Sequence, residues 1–100
     1  LDDIPLSATK RWVRIAPFGA RETSLLLARA DGPEQEAAIG NQTGGRVGFF
    51  LMTAQFDIDY NRMCAAGITF LEEPRDEPYG KVVVWQDPFG NKWDLLETRK

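Results

Sequence analysis

The chain contains no histidine and a single cysteine, Cys64. Without histidine it lacks the side chain most readily titrated near neutral pH and the commonest metal ligand. An iron centre of the two-histidine, one-carboxylate kind cannot be built from it. One cysteine cannot close an internal disulfide, which makes the cytoplasm the default compartment. Positive charge is also short: 12 Lys and Arg against 15 Asp and Glu leave a net charge of −3. That balance argues against a nucleic-acid partner, because such binding is driven by cations that neutralise phosphates. No apolar run approaches the ~18 residues of a membrane span, and no signal-peptide pattern is present, so no membrane partner is expected. What remains, 43% apolar and 27% charged residues over 100 positions, is the composition of one soluble globular domain with a modest core.

The most strongly patterned stretch is Val82 to Glu97, VVVWQDPFGNKWDLLE. Two β-runs, Val82–Trp85 and Lys92–Leu96, flank Asp87-Pro88-Phe89-Gly90-Asn91, which predicts a β-hairpin. Pro88 fixes one turn position, and Gly90-Asn91 supply the positive φ that closes the turn. Asp87 is expected to cap that turn. Asp94 is a carboxylate at a mid-strand position and requires a reason.

Upstream, Leu1 to Thr9 reads as loop. Lys10 to Ala16 reads as a strand whose two faces each mix an arginine with apolar residues. Pro17-Phe18-Gly19 is a turn echoing Pro88-Phe89-Gly90, and Glu22 to Arg29 reads as the next strand. Asp31-Gly32-Pro33-Glu34 starts a short helix that Gly40 stops, and Asn41 to Gly45 connects onward. Arg46 to Met52 reads as a strand in which Gly48 marks a close approach. Residues 56–66 read as an amphipathic helix with Phe56, Tyr60, Met63 and Cys64 on its buried stripe. Thr53 or Asp57 would cap it, and Gly67 would end it with Ile68 packing back. Ile68 to Glu72 is a further strand, and Glu73 to Glu77 a charged loop.

The Asp-Pro-x-Gly-Asn hairpin with its mid-strand acid, together with RVGFFLMT, FDIDYNRMCAAGITF and EPYG before it, resembles the vicinal oxygen chelate superfamily. That group includes glyoxalase I, bleomycin-resistance proteins and extradiol dioxygenases. The resemblance implies an α+β fold of βαβββ modules curled into a mixed sheet, with a ligand held in a cup. Residues 46–97 would form a complete second module, 30–45 a linker with a short helix, and 10–29 the last hairpin of an incomplete first module. The first module's leading strand and helix, roughly 30 residues, are not in this sequence. A longer polypeptide or a partner would then cover the sheet edge left behind, and a homodimer is the expected arrangement.

In the superfamily one residue on each of four strands commonly holds a divalent metal. Carried onto this chain, those positions fall on Asp94, near Ser24, and at Gly48 or its neighbour Val47, with the fourth in the absent segment. Only Asp94 is a competent ligand, so no cofactor is expected, although a divalent metal stays open if a partner or a longer chain brings donors. Asp94 itself either faces solvent between core residues or points into the cup. In the cup it needs a partner, for which Arg14 is preferred over Arg11. Trp12, Phe49, Phe50, Trp85 and Trp93 make either a core or an aromatic-lined cavity, with Phe50 and Trp85 as candidate lining residues. Glu77 and Tyr79 lie where they could hydrogen-bond a ligand at the mouth. Cys64 reads as a small core hydrophobe.

The function this implies is small-molecule binding of the glyoxalase/bleomycin-resistance type. Two alternatives stay open: a metal-dependent lyase, isomerase or dioxygenase that stabilises an enolate, and a non-catalytic dimeric interaction or sequestering protein.

Overall fold

A computed structural model describes residues 2–7 and 11–99. Lys10, expected at the start of a strand, lies outside the described residues, as do Leu1, Ala8 and Thr9 of the expected loop. The chain forms two compact units, Leu1–Glu36 and Ala37–Lys100.

The N-terminal unit is an antiparallel three-stranded sheet, β1 (Asp2–Pro5), β2 (Arg11–Ile15) and β3 (Leu25–Leu27), in that spatial order. Strand β1 corrects the expectation of a loop. Its Asp pair and Pro5 are poor strand formers, but the register Asp3↔Val13 and Ile4↔Trp12 gives them a ladder on β2. Pro5 sits at the strand's end, where a missing N–H is tolerated. The Arg11 guanidinium also pairs with the Asp3 carboxylate. Between β2 and β3 the Ala20 N–H donates to the Pro17 carbonyl at 3.0 Å, closing the turn around Gly19.

Helix α1 (Pro33–Ala38) is short, and the Gln35 side chain accepts the Asp31 N–H at 2.8 Å. Gly40 ends it at φ +73°. A Cβ there would stand 2.2 Å from the Phe89 carbonyl, so only glycine fits against the later hairpin turn.

The C-terminal unit is built on β4 (Phe49–Met52), α2 (Phe56–Ala65), β5 (Thr69–Phe70), β6 (Arg75–Glu77), β7 (Gly80–Gln86) and β8 (Lys92–Thr98). The sheet order is β4-β8-β7-β5, with β6 also on β7; β4 runs parallel to β8 and the other pairs are antiparallel. The fold class is α+β, and from β4 this unit runs β-α-β-β-β, with the strand after α2 broken into β5 and β6.

That break corrects the reading of Ile68 to Glu72 as one strand and of Glu73 to Glu77 as loop. Phe70 faces Trp85 and Arg75 faces Val82, five steps against three, so a bulge of two extra residues separates β5 from β6. Pro74 falls inside it, where its absent N–H costs no ladder bond.

Helix α2 ends as expected. The Gly67 N–H donates to the Cys64 carbonyl and the Ile68 N–H to the Met63 carbonyl, with Gly67 at φ +82°. Its start differs. Gln55 is the N-cap and offers no side-chain bond; instead the Phe56 N–H donates to Glu97 Oε1 on β8 at 2.7 Å. Thr53 bonds the Asp59 carboxylate and Asp57 pairs with Lys81, so neither expected residue caps the helix.

One core cluster lies between α2 and a sheet face, where Phe56 packs with Val83, Trp85 and Leu95, with Tyr60 and Met63 at its margin, and Val82 and Leu96 are buried on the opposite face. Cys64 is exposed, which corrects its assignment to the buried stripe. At about 100° per residue it stands roughly 80° round the helix from Phe56, beyond the narrow line of Phe56, Tyr60 and Met63. No helix among the described residues is long and apolar enough to cross a membrane.

Candidate functional site

Strand alternation sorts the C-terminal sheet into two faces. The pairs Trp85↔Trp93 and Val83↔Leu95, with Phe49 beside Trp93, point toward α2. Phe49–Trp93 centroids lie 4.6 Å apart and Trp85–Trp93 5.0 Å, and Tyr60 and Phe70 pair separately at 4.7 Å. Trp85, expected to line the cup, is therefore in the core; period-two alternation from Asp94 puts it on the other side. Its indole Nε1 is buried without a hydrogen-bond partner.

The opposite face carries the pair Val84↔Asp94, with Phe50 beside Asp94 on β4. Phe50 and Met52 are largely exposed, at 63% and 54%. Asp94 is half-buried, and its Oδ1 is buried with no partner. Burial pushes its carboxyl above the usual 3.8; Arg75 opposes that rise and Glu72 adds to it.

Arg75 and Glu72 owe their place to the bulge. Arg75 Nε donates to both oxygens of Glu72, at 3.0 and 3.1 Å, and its Nη1 lies 3.3 Å from Glu77 Oε1. Glu72 Oε2 also accepts the N–H of Val84 at 2.9 Å. The guanidinium is raised first by its bond to Glu72, and the nearby Tyr79 hydroxyl and Glu77 contribute. Arg75 and Glu72 were not anticipated: a proline within a charged run reads as loop, and no local pattern announces a bulge.

Arg14 is on β2, in register with Leu26, and Ser24 just precedes β3; both belong to the N-terminal unit. Within its own unit, the cation acting on Asp94 is Arg75. Gly48 is exposed at the mouth of β4, where its N–H donates to the Lys92 carbonyl at 3.1 Å. The close approach it permits is the Thr43 methyl, 2.5 Å from where a Cβ would stand. Tyr79 is exposed in the tight turn between β6 and β7.

Asp87 caps its turn as expected. Its carboxylate accepts from the Phe89 N–H at 3.0 Å, the Asn91 N–H at 2.9 Å, Asn91 Nδ2 at 3.1 Å and Trp93 Nε1 at 3.0 Å. Burial alone would raise this group, but those bonds together hold it below the usual 3.8.

A metal fits poorly on the Asp94 face. No three of His, Cys, Asp and Glu come together among the described residues. The second carboxylate near Asp94, Glu72, is engaged by a guanidinium, whose charge opposes a further cation.

A hollow of about 690 Å³ lies elsewhere, beside Lys81, Glu97, Asp76 and Arg99. Its charges are already matched: Lys81 to Asp57 at 2.8 Å, Arg99 to Asp76 at 3.3 Å and Glu97 to the helix start. Volume favours that groove, whereas unsatisfied chemistry favours the Asp94 face, and the second criterion bears more directly on recognition.

Comparison with known proteins agrees with this architecture. A protein of Shewanella frigidimarina is 54% identical over 88 residues, which are 88% of this chain and 65% of the relative; the chain thus spans less than two thirds of that protein's length. The crystal structure of UcmS2 superposes with a TM-score of 0.78 at 25% identity, over 96% of this chain and 76% of that one. TnmS3, an antibiotic-binding protein of Streptomyces sp. CB03234, gives a TM-score of 0.73 at 29% identity, over 99% and 74%. The model of the Glyoxalase/Bleomycin resistance protein/Dioxygenase superfamily matches residues 2–95, and the chain belongs to that superfamily.

Proposed function

We propose that the chain binds a small, planar and largely apolar molecule on the C-terminal sheet face turned away from α2. Phe50 and Met52 would contact its apolar body, Asp94 its polar group, and Tyr79 its edge. The observation that carries this reading is the pairing of exposed apolar side chains with a carboxylate whose buried Oδ1 has no hydrogen-bond partner among the described residues. Exposed apolar groups around a polar group left unsatisfied are features of a ligand surface rather than of a finished core. The likeness to TnmS3, which binds an antibiotic, supports a small molecule over a macromolecule. Chemistry through a divalent metal is not part of this proposal, because the donors around Asp94 do not suit one.

The experiment is titration of the purified protein with a panel of planar aromatics, read by amide chemical shifts. Shifts at Phe50, Met52 and Asp94 support the proposal. Shifts confined to the α2 side, or none with any compound, overturn it. Metal analysis before and after a chelator, with thermal stability alongside, tests the metal-dependent alternative.

A further inference from the structure

We infer that the ligand of the Asp94 face presents a hydrogen-bond donor, an O–H or N–H, at the edge of its apolar ring system, and that the Asp94 carboxylate accepts it. This rests on the binding proposal above and narrows it to a ligand class.

Asp94 on β8 is flanked by β4 and β7, with β6 beyond. On β4, its register neighbour is Phe50, which has no polar side-chain atom. On β7, its partner Val84 also has none, and the Val84 N–H is given to Glu72. On its own strand, two residues away on the same face, the Lys92 ammonium donates to the Gly45 carbonyl at 3.1 Å. From β6, Arg75 feels Asp94 electrostatically, but it is committed to Glu72 and Glu77. None of these side chains donates to Asp94, and the Trp85 Nε1 left without a partner on β7 points to the other face.

A carboxylate in that position lacks what a buried charge requires. The Asp94 Oδ1 has no hydrogen-bond partner among the described residues. Ligands with acceptors alone, such as ethers and ketones, would add a further lone pair beside an ionised acid. Ligands with a donor supply the missing interaction, and a hydrogen bond to a charged group is stronger than a neutral one. The rise in the Asp94 carboxyl is the state this contact would reverse.

The test uses 2-naphthol and its methyl ether, 2-methoxynaphthalene, which share a ring and differ in the donor. Dissociation constants are read by amide shifts at pH 7. For the wild type, 2-naphthol is expected to bind roughly tenfold tighter than the ether. In Asp94→Leu that preference should vanish, with the ether binding at least as well as before. Asp94→Asn, closer in shape, guards against misfolding of the leucine variant and should keep about a threefold preference, since a neutral acceptor remains. In the wild type, 2-naphthol should also move the Asp94 carboxyl titration to lower pH, and the ether should not. Equal affinity of both probes for the wild type overturns this inference and leaves the binding proposal standing. A preference that persists in Asp94→Leu does the same. Failure of both probes to bind overturns both.

Discussion

Glu72 Oε2 accepts the N–H of Val84 at 2.9 Å, the residue directly opposite Asp94, while Arg75 Nε grips both oxygens of the same carboxylate. A side chain thus supplies an acceptor to the ladder where the bulge displaces the neighbouring strand. Glu72→Ala would strand the Val84 N–H and remove one of the two acids that hold the Arg75 guanidinium. The expected cost is about 2–3 kcal/mol in urea unfolding, because unsatisfied part-buried donors lose their full desolvation penalty. Glu72→Gln keeps an acceptor for Val84 and should cost less than half as much. Equal losses for the two variants would refute the role given to this acceptor.

The two strand-hairpin acids should respond to pH in opposite senses. Asp94 is raised above 3.8, so the folded state holds its proton longer than the unfolded chain. Its contribution is fully present below 3.8 and is lost as pH rises through the folded value. Asp87 is held below 3.8, so its contribution is present above 3.8 and is lost as pH falls through the folded value. Unfolding midpoints from pH 2 to 7 check this. The stability of Asp94→Asn relative to wild type should rise with pH across the window above 3.8. The deficit of Asp87→Asn should shrink as pH falls below 3.8. Parallel curves for either variant contradict the corresponding assignment.

Trp85 and Trp93 stack on each other with their indole nitrogens in contrasting states. Trp93 Nε1 donates to Asp87 at 3.0 Å, whereas Trp85 Nε1 is buried without a partner. Replacement by phenylalanine removes a hydrogen bond in the first case and an unsatisfied donor in the second. Trp93→Phe should therefore cost about 1–2 kcal/mol more than Trp85→Phe, although Trp85 is the more deeply buried ring. Denaturant unfolding of both variants decides it; a larger loss at Trp85 means packing outweighs polar satisfaction here.

These contrasts show how far the residues themselves could be read. The hairpin around Asp87-Pro88-Phe89-Gly90-Asn91, the strand at 49–52 and the helix from Phe56 were legible because Pro, Gly and apolar period are local signals. Strand β1 was not, since Asp2-Asp3-Ile4-Pro5 becomes a strand only through its ladder on β2, a nonlocal cause. The break between β5 and β6 was hidden for the same reason, and with it the placement of Glu72 and Arg75 beside Asp94. Period-two alternation separates Trp85 and Trp93 from Phe50 and Asp94 only once the face toward α2 is known, which is why Trp85 was expected to line the cup with Phe50. Cys64 was misplaced because a four-residue stripe drawn on a ten-residue helix is wider than the sheet contact beneath it.

The sheet edge of the N-terminal unit leads to the last prediction. Strand β8 is flanked by β4 and β7, but β3, the third strand of the other sheet, pairs only with β2 among the described residues. Leu26 and Leu27 on it are 53% and 41% exposed. An apolar edge strand with open backbone groups is a template for pairing, and we expect a second copy of the chain to take that place. Sedimentation velocity at micromolar concentration should give twice the 11.3 kDa chain mass. Leu26→Lys, which puts a charge on the edge, should shift the protein toward the single-chain mass while its β-sheet dichroism is retained. A wild type that sediments as one chain with full β-sheet signal excludes self-association as the cover for this edge.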